Sequence, residues 1–124
     1  MRIQAKEELE HAMKFFDQVL ERQGTIVLQA VDAPPAKWKT AKDVFEAAYQ
    51  HEQKVTESIH KIVELARAEK DHATGVFLDW FVKEQVEEEA STNEVLQKLK
   101  LAGTDTSALL VLDSELAKRG SSSK

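Results

Sequence analysis

The chain has 124 residues, 42% of them hydrophobic and 31% charged, with four glycines, two prolines and no cysteine. That is enough chain for one domain with a buried core, and too poor in glycine, proline and aromatic residues for an all-β design, so the composition predicts an all-α fold. The missing cysteine excludes disulfides, zinc-thiolate sites, iron–sulfur clusters and thiol catalysis, and the formal net charge of −5 argues against a nucleic-acid partner while mildly favouring cations.

The first helical segment is expected from Met1 to about Arg22, stopped by Gln23-Gly24, with Leu9, Ala12, Met13, Phe16, Val19 and Leu20 as its apolar stripe. The pattern is already under way at Ile3 with no capping residue before it, which leads us to expect that something upstream has been lost or that the chain starts internally. The same N-terminus has no apolar signal core, so the expected compartment is the cytoplasm. From Gly24 to Lys39 the helical pattern breaks, and Asp32-Ala33-Pro34-Pro35 forbids a helix. Extended at about 3.3 Å per residue, this connector reaches roughly 50 Å, the length of a helix of about 30 residues. It can therefore return the chain to its starting end and make the first two segments parallel. Trp38 is expected to anchor it.

Thr40-Ala41-Lys42-Asp43 is close to a capping box and opens a second helix, which continues to about Lys70. Its stripe is Val44, Ala48, Val55, Ile59, Ile62 and Ala66, and the step between Ala48 and Val55 falls on Glu52. Asp71 caps a third helix reaching about Lys100, and so short a turn makes the second and third helices antiparallel. A short fourth helix is expected over Ser107 to Arg119, with Leu109, Leu112 and Leu116 on one face. Ala108 to Leu112, the longest apolar run, is too short to span a bilayer, so no membrane partner is expected. Residues 1–119 form the expected domain, and 120–124 read as a disordered tail.

Polar residues interrupt the buried seam. On the third helix the row Leu78, Phe81, Val95, Leu99 passes through Gln85, Glu88 and Thr92. A glutamate on a core row is costly unless a charge offsets it. The first helix offers Glu8 and His11 three residues apart, on one face. With the directions given above, Glu8, Glu52 and Gln85 lie roughly 21, 26 and 21 Å from the same end, about one turn apart. Carboxylates with one imidazole and no thiolate suit iron, manganese or zinc and argue against copper or haem. Glu8 or Glu52 could bridge two ions, and Glu7, Glu84, Glu87 and Glu88 would form a second acidic cluster for a weakly bound cation. Plainer readings stand beside these: Glu52 paired with a lysine or arginine, His11 as a hydrogen-bonded structural histidine, and Glu7, Glu10, Glu87 and Glu89 as solvated charges. Trp80, Phe81 and Phe77 read as core aromatics. Hydrolase, nucleotide and nucleic-acid motifs are not visible.

Three stretches and an ending then carry a family likeness. Glu7-Glu8-Leu9-Glu10-His11-Ala12, His51-Glu52-Gln53-Lys54-Val55, the run from Phe77 to Glu89 and Leu110-Val111-Leu112-Asp113-Ser114-Glu115-Leu116 resemble the non-haem ferritins of bacteria and archaea. The resemblance implies a ferritin-like up-down bundle with a long crossover connector. It implies a ferroxidase centre with Glu8 bridging two irons, His11 on the first, Glu52 on the second and Gln85 nearby. A third iron position is implied near Glu7, Glu84, Glu87 and Glu88. Leu9 stands where bacterioferritins carry a haem-ligating methionine, so no haem is expected. Family members have a helix before the segment that begins here, supplying a further glutamate ligand and a tyrosine, and Met1 would align inside the family's second helix. The bundle is thus expected as three long helices and a short C-terminal one with the first helix missing. Its groove would expose a large apolar face. Either another chain fills it, giving a dimer or larger, or the chain pairs in a rearranged way, or the sequence is a truncated product. The implied activity is iron storage and detoxification, with Fe(II) oxidised to Fe(III). The alternative is a non-catalytic helical assembly module with an incomplete iron site.

Overall fold

The computed structural model describes residues Arg2 to Arg119, so the expected tail lies outside the described residues. It contains four helices and, among the described residues, no strand: α1 (Arg2–Glu21), α2 (Ala41–Ala68), α3 (His72–Ala102) and α4 (Thr106–Arg119). No described helix is long and apolar enough to cross a membrane. The chain divides into two compact units, one running to Pro35 and built on α1, the other Ala36–Ala117 and built on α2, α3 and α4.

In the first unit, α1 ends in a paired hydrogen-bond motif. The Gly24 N–H donates to the Val19 carbonyl at 2.8 Å and the Gln23 N–H to the Leu20 carbonyl at 2.9 Å. The left-handed residue is Gln23 (φ 60°), not the glycine. Gly24 is needed for space instead, because a Cβ there would lie 2.8 Å from Val19 Cγ1 and 3.0 Å from the Val19 carbonyl oxygen. The apolar stripe is largely uncovered. Leu9, Met13, Phe16, Val19 and Leu20 are exposed, Leu9 by 62%, whereas Glu7, His11, Phe15 and Gln18 are half-buried. Periodicity found an apolar face; it carries no information on whether the element that covers that face belongs to the same stretch of chain. From Gly24 to Trp38 the connector has no regular secondary structure, as the two prolines require.

In the second unit, Thr40 caps α2 through a capping box. Its Oγ1 accepts from the Asp43 N–H at 3.1 Å, and Asp43 Oδ2 accepts from the Thr40 N–H at 3.1 Å. Trp38 just before it is 44% exposed, a weaker anchor than expected. The α2 end repeats the α1 motif: Asp71 N–H to the Ala66 carbonyl at 2.8 Å, Lys70 N–H to the Arg67 carbonyl at 3.1 Å, and Lys70 left-handed at φ 55°. Asp71 at once caps α3, accepting from the Thr74 N–H at 3.2 Å and the Thr74 hydroxyl at 2.6 Å. One residue thus closes one helix and opens the next. The hairpin has to be antiparallel, and Asp71 answers Ala66 at its turn while Gln85 answers Glu52 deeper in.

Ile59 and Ala66 from α2 are buried, as are Leu78 and Phe81 from α3, with Leu78 wholly enclosed. Toward the far end Val95 and Leu99 cluster with Leu112 of α4, flanked by Phe45, Leu109 and Leu116. Ile62 was expected on the buried row but is exposed, while its neighbour Val63 is half-buried. A seam against a single helix is narrower than an apolar stripe, so only one of two adjacent candidates enters it. Gly103 (φ 56°) ends α3, and Asp105 Oδ1 accepts from the Ser107 and Ala108 N–H groups at 2.9 and 3.3 Å, starting α4 one residue before the expected position. Lys98 Nζ lies 3.0 Å from both Glu94 and Glu115, tying α4 to α3. Hydrogen bonds to those two carboxylates raise its pKa above the ordinary lysine value.

Candidate metal centre

The row predicted to carry polar residues into the seam does so. Between Phe81 and Val95, Gln85 is only 6% exposed and Glu88 and Thr92 are half-buried. Gln85 faces Glu52 across the α2–α3 seam. Its Nε2 donates toward the Glu52 backbone carbonyl at 3.2 Å, Glu52 Oε2 at 3.2 Å and Thr56 Oγ1 at 3.1 Å. Both oxygens on Glu52 are acceptors only, so the amide has to turn its nitrogen toward them; the chemistry fixes the orientation.

A carboxylate oxygen of Glu52 lies within 4.8 Å of one from Glu88. The helix geometry explains the meeting. Gln85 and Glu88 are three residues apart on one face of α3, and that face points at the α2 turn holding Glu52 and Thr56. Oxygen ligands sit about 2.0–2.6 Å from a divalent cation, so two oxygens separated by about 4 to 5 Å can share one ion. Charge favours it as well, because two half-buried carboxylates this close repel unless a cation lies between them.

In the α1 unit, Glu8 and His11 are one turn apart as the spacing required. Glu8 Oε2 lies 3.6 Å from His11 Nδ1, and Glu8 Oε1 accepts from Gln4 Nε2 at 3.0 Å. Glu8 is exposed and His11 half-buried. Of the second acidic group, Glu84 and Glu88 stand one turn apart on α3 and are half-buried, Glu87 beside them is exposed, and Glu7 on α1 is half-buried. Trp80 is not a core aromatic: it is 39% exposed, with its ring edge-to-face against buried Phe81 at 4.9 Å, and Phe77 completes the group at 5.2 Å from Phe81. Thr56 escaped the sequence-level search. The available signal was its position four residues after Glu52 on the same helical face, where a hydroxyl enters a polar gap in an apolar row.

Comparison with known proteins identifies the family. The sequence model of the ferritin-like domain family matches residues 1–102. A bacterial non-heme ferritin of Bacteroides fragilis is 39% identical over 119 residues, covering 96% of this chain and 74% of that protein. One from Campylobacter jejuni is 40% identical over 109 residues, covering 88% of this chain and 65% of that protein. Among solved structures, the open pore ferritin from the hyperthermophilic archaeon Archaeoglobus fulgidus matches with a TM-score of 0.92 at 54% identity, over 94% of this chain and 72% of that one.

Proposed function

The chain belongs to the ferritin-like family, and from that premise we propose that it is an iron-handling subunit that binds Fe(II) at a carboxylate and histidine centre and oxidises it to Fe(III). Iron is the substrate here. The observation that carries the reading is the Glu52–Glu88 carboxylate pair within 4.8 Å, beside buried Gln85 on a seam that is apolar above and below them. Glu52 would hold one iron, and Gln85 donates to its carboxylate while no ion is there. Glu8 and His11 would supply the bridging carboxylate and the imidazole, a role supported by their place on one face of α1 and by the similar depths read from the sequence. Carboxylates that neutralise a di-iron pair stabilise Fe(III) over Fe(II), and two Fe(II) ions give one electron each to dioxygen or peroxide. Glu7, Glu84, Glu87 and Glu88 would hold a further iron on its way to a mineral store.

Self-association belongs to the same proposal. The exposed row Leu9, Met13, Phe16 and Leu20 is a large apolar face. It suits burial against a helix of a neighbouring chain, a second copy being the occupant proposed.

Aerobic Fe(II) titration, followed by the absorbance of ferric product, tests the assignment. Oxidation faster than the buffer blank and saturating near two irons per chain is expected, with Glu52→Ala and His11→Ala both slower. Oxidation at the blank rate would support the non-catalytic assembly module instead, and a double variant as fast as the parent would refute the residue assignment.

A further inference from the structure

Gln85 faces three acceptors with an amide that carries two hydrogens: the Glu52 carbonyl and carboxylate at 3.2 Å each, and Thr56 Oγ1 at 3.1 Å. We propose that Thr56 is a positioning residue for the cation site, its hydroxyl being the reserve acceptor that lets the Gln85 amide release the Glu52 carboxylate to an arriving divalent cation. This rests on the reading of Glu52 as a cation ligand. Without a cation the two hydrogens are shared among three oxygens, and the carboxylate is one of the takers.

When Oε2, the oxygen that accepts from Gln85, is the one drawn to a cation, its lone pairs turn to the ion and the bond to the amide is given up. Gln85 is 6% exposed, so water is a poor substitute, and a buried N–H left without an acceptor is costly. With the Glu52 carbonyl and Thr56 Oγ1 both in reach, each hydrogen keeps an acceptor while the carboxylate leaves. Thr56 is one turn after Glu52 on the same helix, so the backbone holds the reserve acceptor in place through the exchange.

The test is calorimetric titration of redox-silent Zn(II) into the full chain and its Thr56→Val, Thr56→Ser and Glu52→Ala variants, with the melting temperature of each metal-free protein measured alongside. Valine keeps the shape of threonine but has no acceptor. Thr56→Val is expected to weaken Zn(II) binding about three- to tenfold, the worth of one hydrogen bond. Because two acceptors still serve two hydrogens in the metal-free variant, its melting temperature should stay within about 2 °C of the parent. Thr56→Ser should restore the parent affinity. If Thr56→Val binds Zn(II) as the parent does while Glu52→Ala loses it, the role of Thr56 is overturned and the cation site stands. A serine variant as weak as the valine one, or a clear drop in the metal-free melting temperature of Thr56→Val, also overturns it. Parent-like binding by Glu52→Ala would remove the cation site itself, and the role of Thr56 with it.

Discussion

Replacing Glu52 with glutamine separates the two things this side chain does. The variant can still present an oxygen to Gln85 Nε2, where the parent bond is 3.2 Å, but it no longer places a second negative charge within 4.8 Å of Glu88. Two unit charges at that distance repel by about 3.5 kcal/mol at an effective dielectric constant of 20. Half-burial and the other partners of both groups reduce this to about 1–2 kcal/mol. Exchanging a charge-assisted hydrogen bond for a neutral one gives back about 0.5–1 kcal/mol. The metal-free variant should therefore be more stable than the parent by about 0.5–1 kcal/mol, a rise in melting temperature of roughly 2–5 °C. Zinc should reverse the order, because the parent gains about 2.7 kcal/mol at a free concentration 100 times its dissociation constant and the variant gains little. The assay is thermal unfolding followed by circular dichroism, once with a chelator and once with Zn(II). A variant less stable than the parent in chelator, or one that gains as much from zinc, would refute the reasoning.

Leu78→Ala empties the fully enclosed position of the α2–α3 seam and should cost about 2–5 kcal/mol, read as a drop in chemical-denaturation midpoint with unchanged helical signal at low denaturant. Lys98→Met removes the cation shared by Glu94 and Glu115 and should speed amide exchange in α4 more than in α2. The folded pKa of Lys98 lies above its unfolded value, so its contribution is fully present at neutral pH and is lost only as the pH rises through the folded pKa. An alkaline loss of α4 protection that is as steep in Lys98→Met as in the parent would refute the link.

Local chemistry made much of this chain legible. Thr40 with Asp43, Asp71 before His72, and the two prolines of the connector are backbone instructions that act over three or four residues, and each produced the element expected of it. The polar interruption at Gln85 and Glu88 was equally visible, because a row of period 3.6 exposes any residue that does not belong on it. Gln85 itself, though, reads differently in three dimensions. It is a donor that holds the Glu52 carboxylate, and Thr56 shares it, a relation among residues 29 and 33 positions apart that no local pattern encodes.

The sequence by itself determined that the chain is helical, where its helices start and stop, and that carboxylates interrupt an apolar seam. Only the tertiary structure decided which of two apolar neighbours enters that seam, as with Ile62 and Val63, and that the α1 stripe from Leu9 to Leu20 stays exposed within these residues. The physical reason is the range of the interactions. Caps, turns and periodicity are set by neighbours along the chain, whereas burial depends on whether a second surface arrives, and a stripe looks the same in sequence whether or not its partner is present.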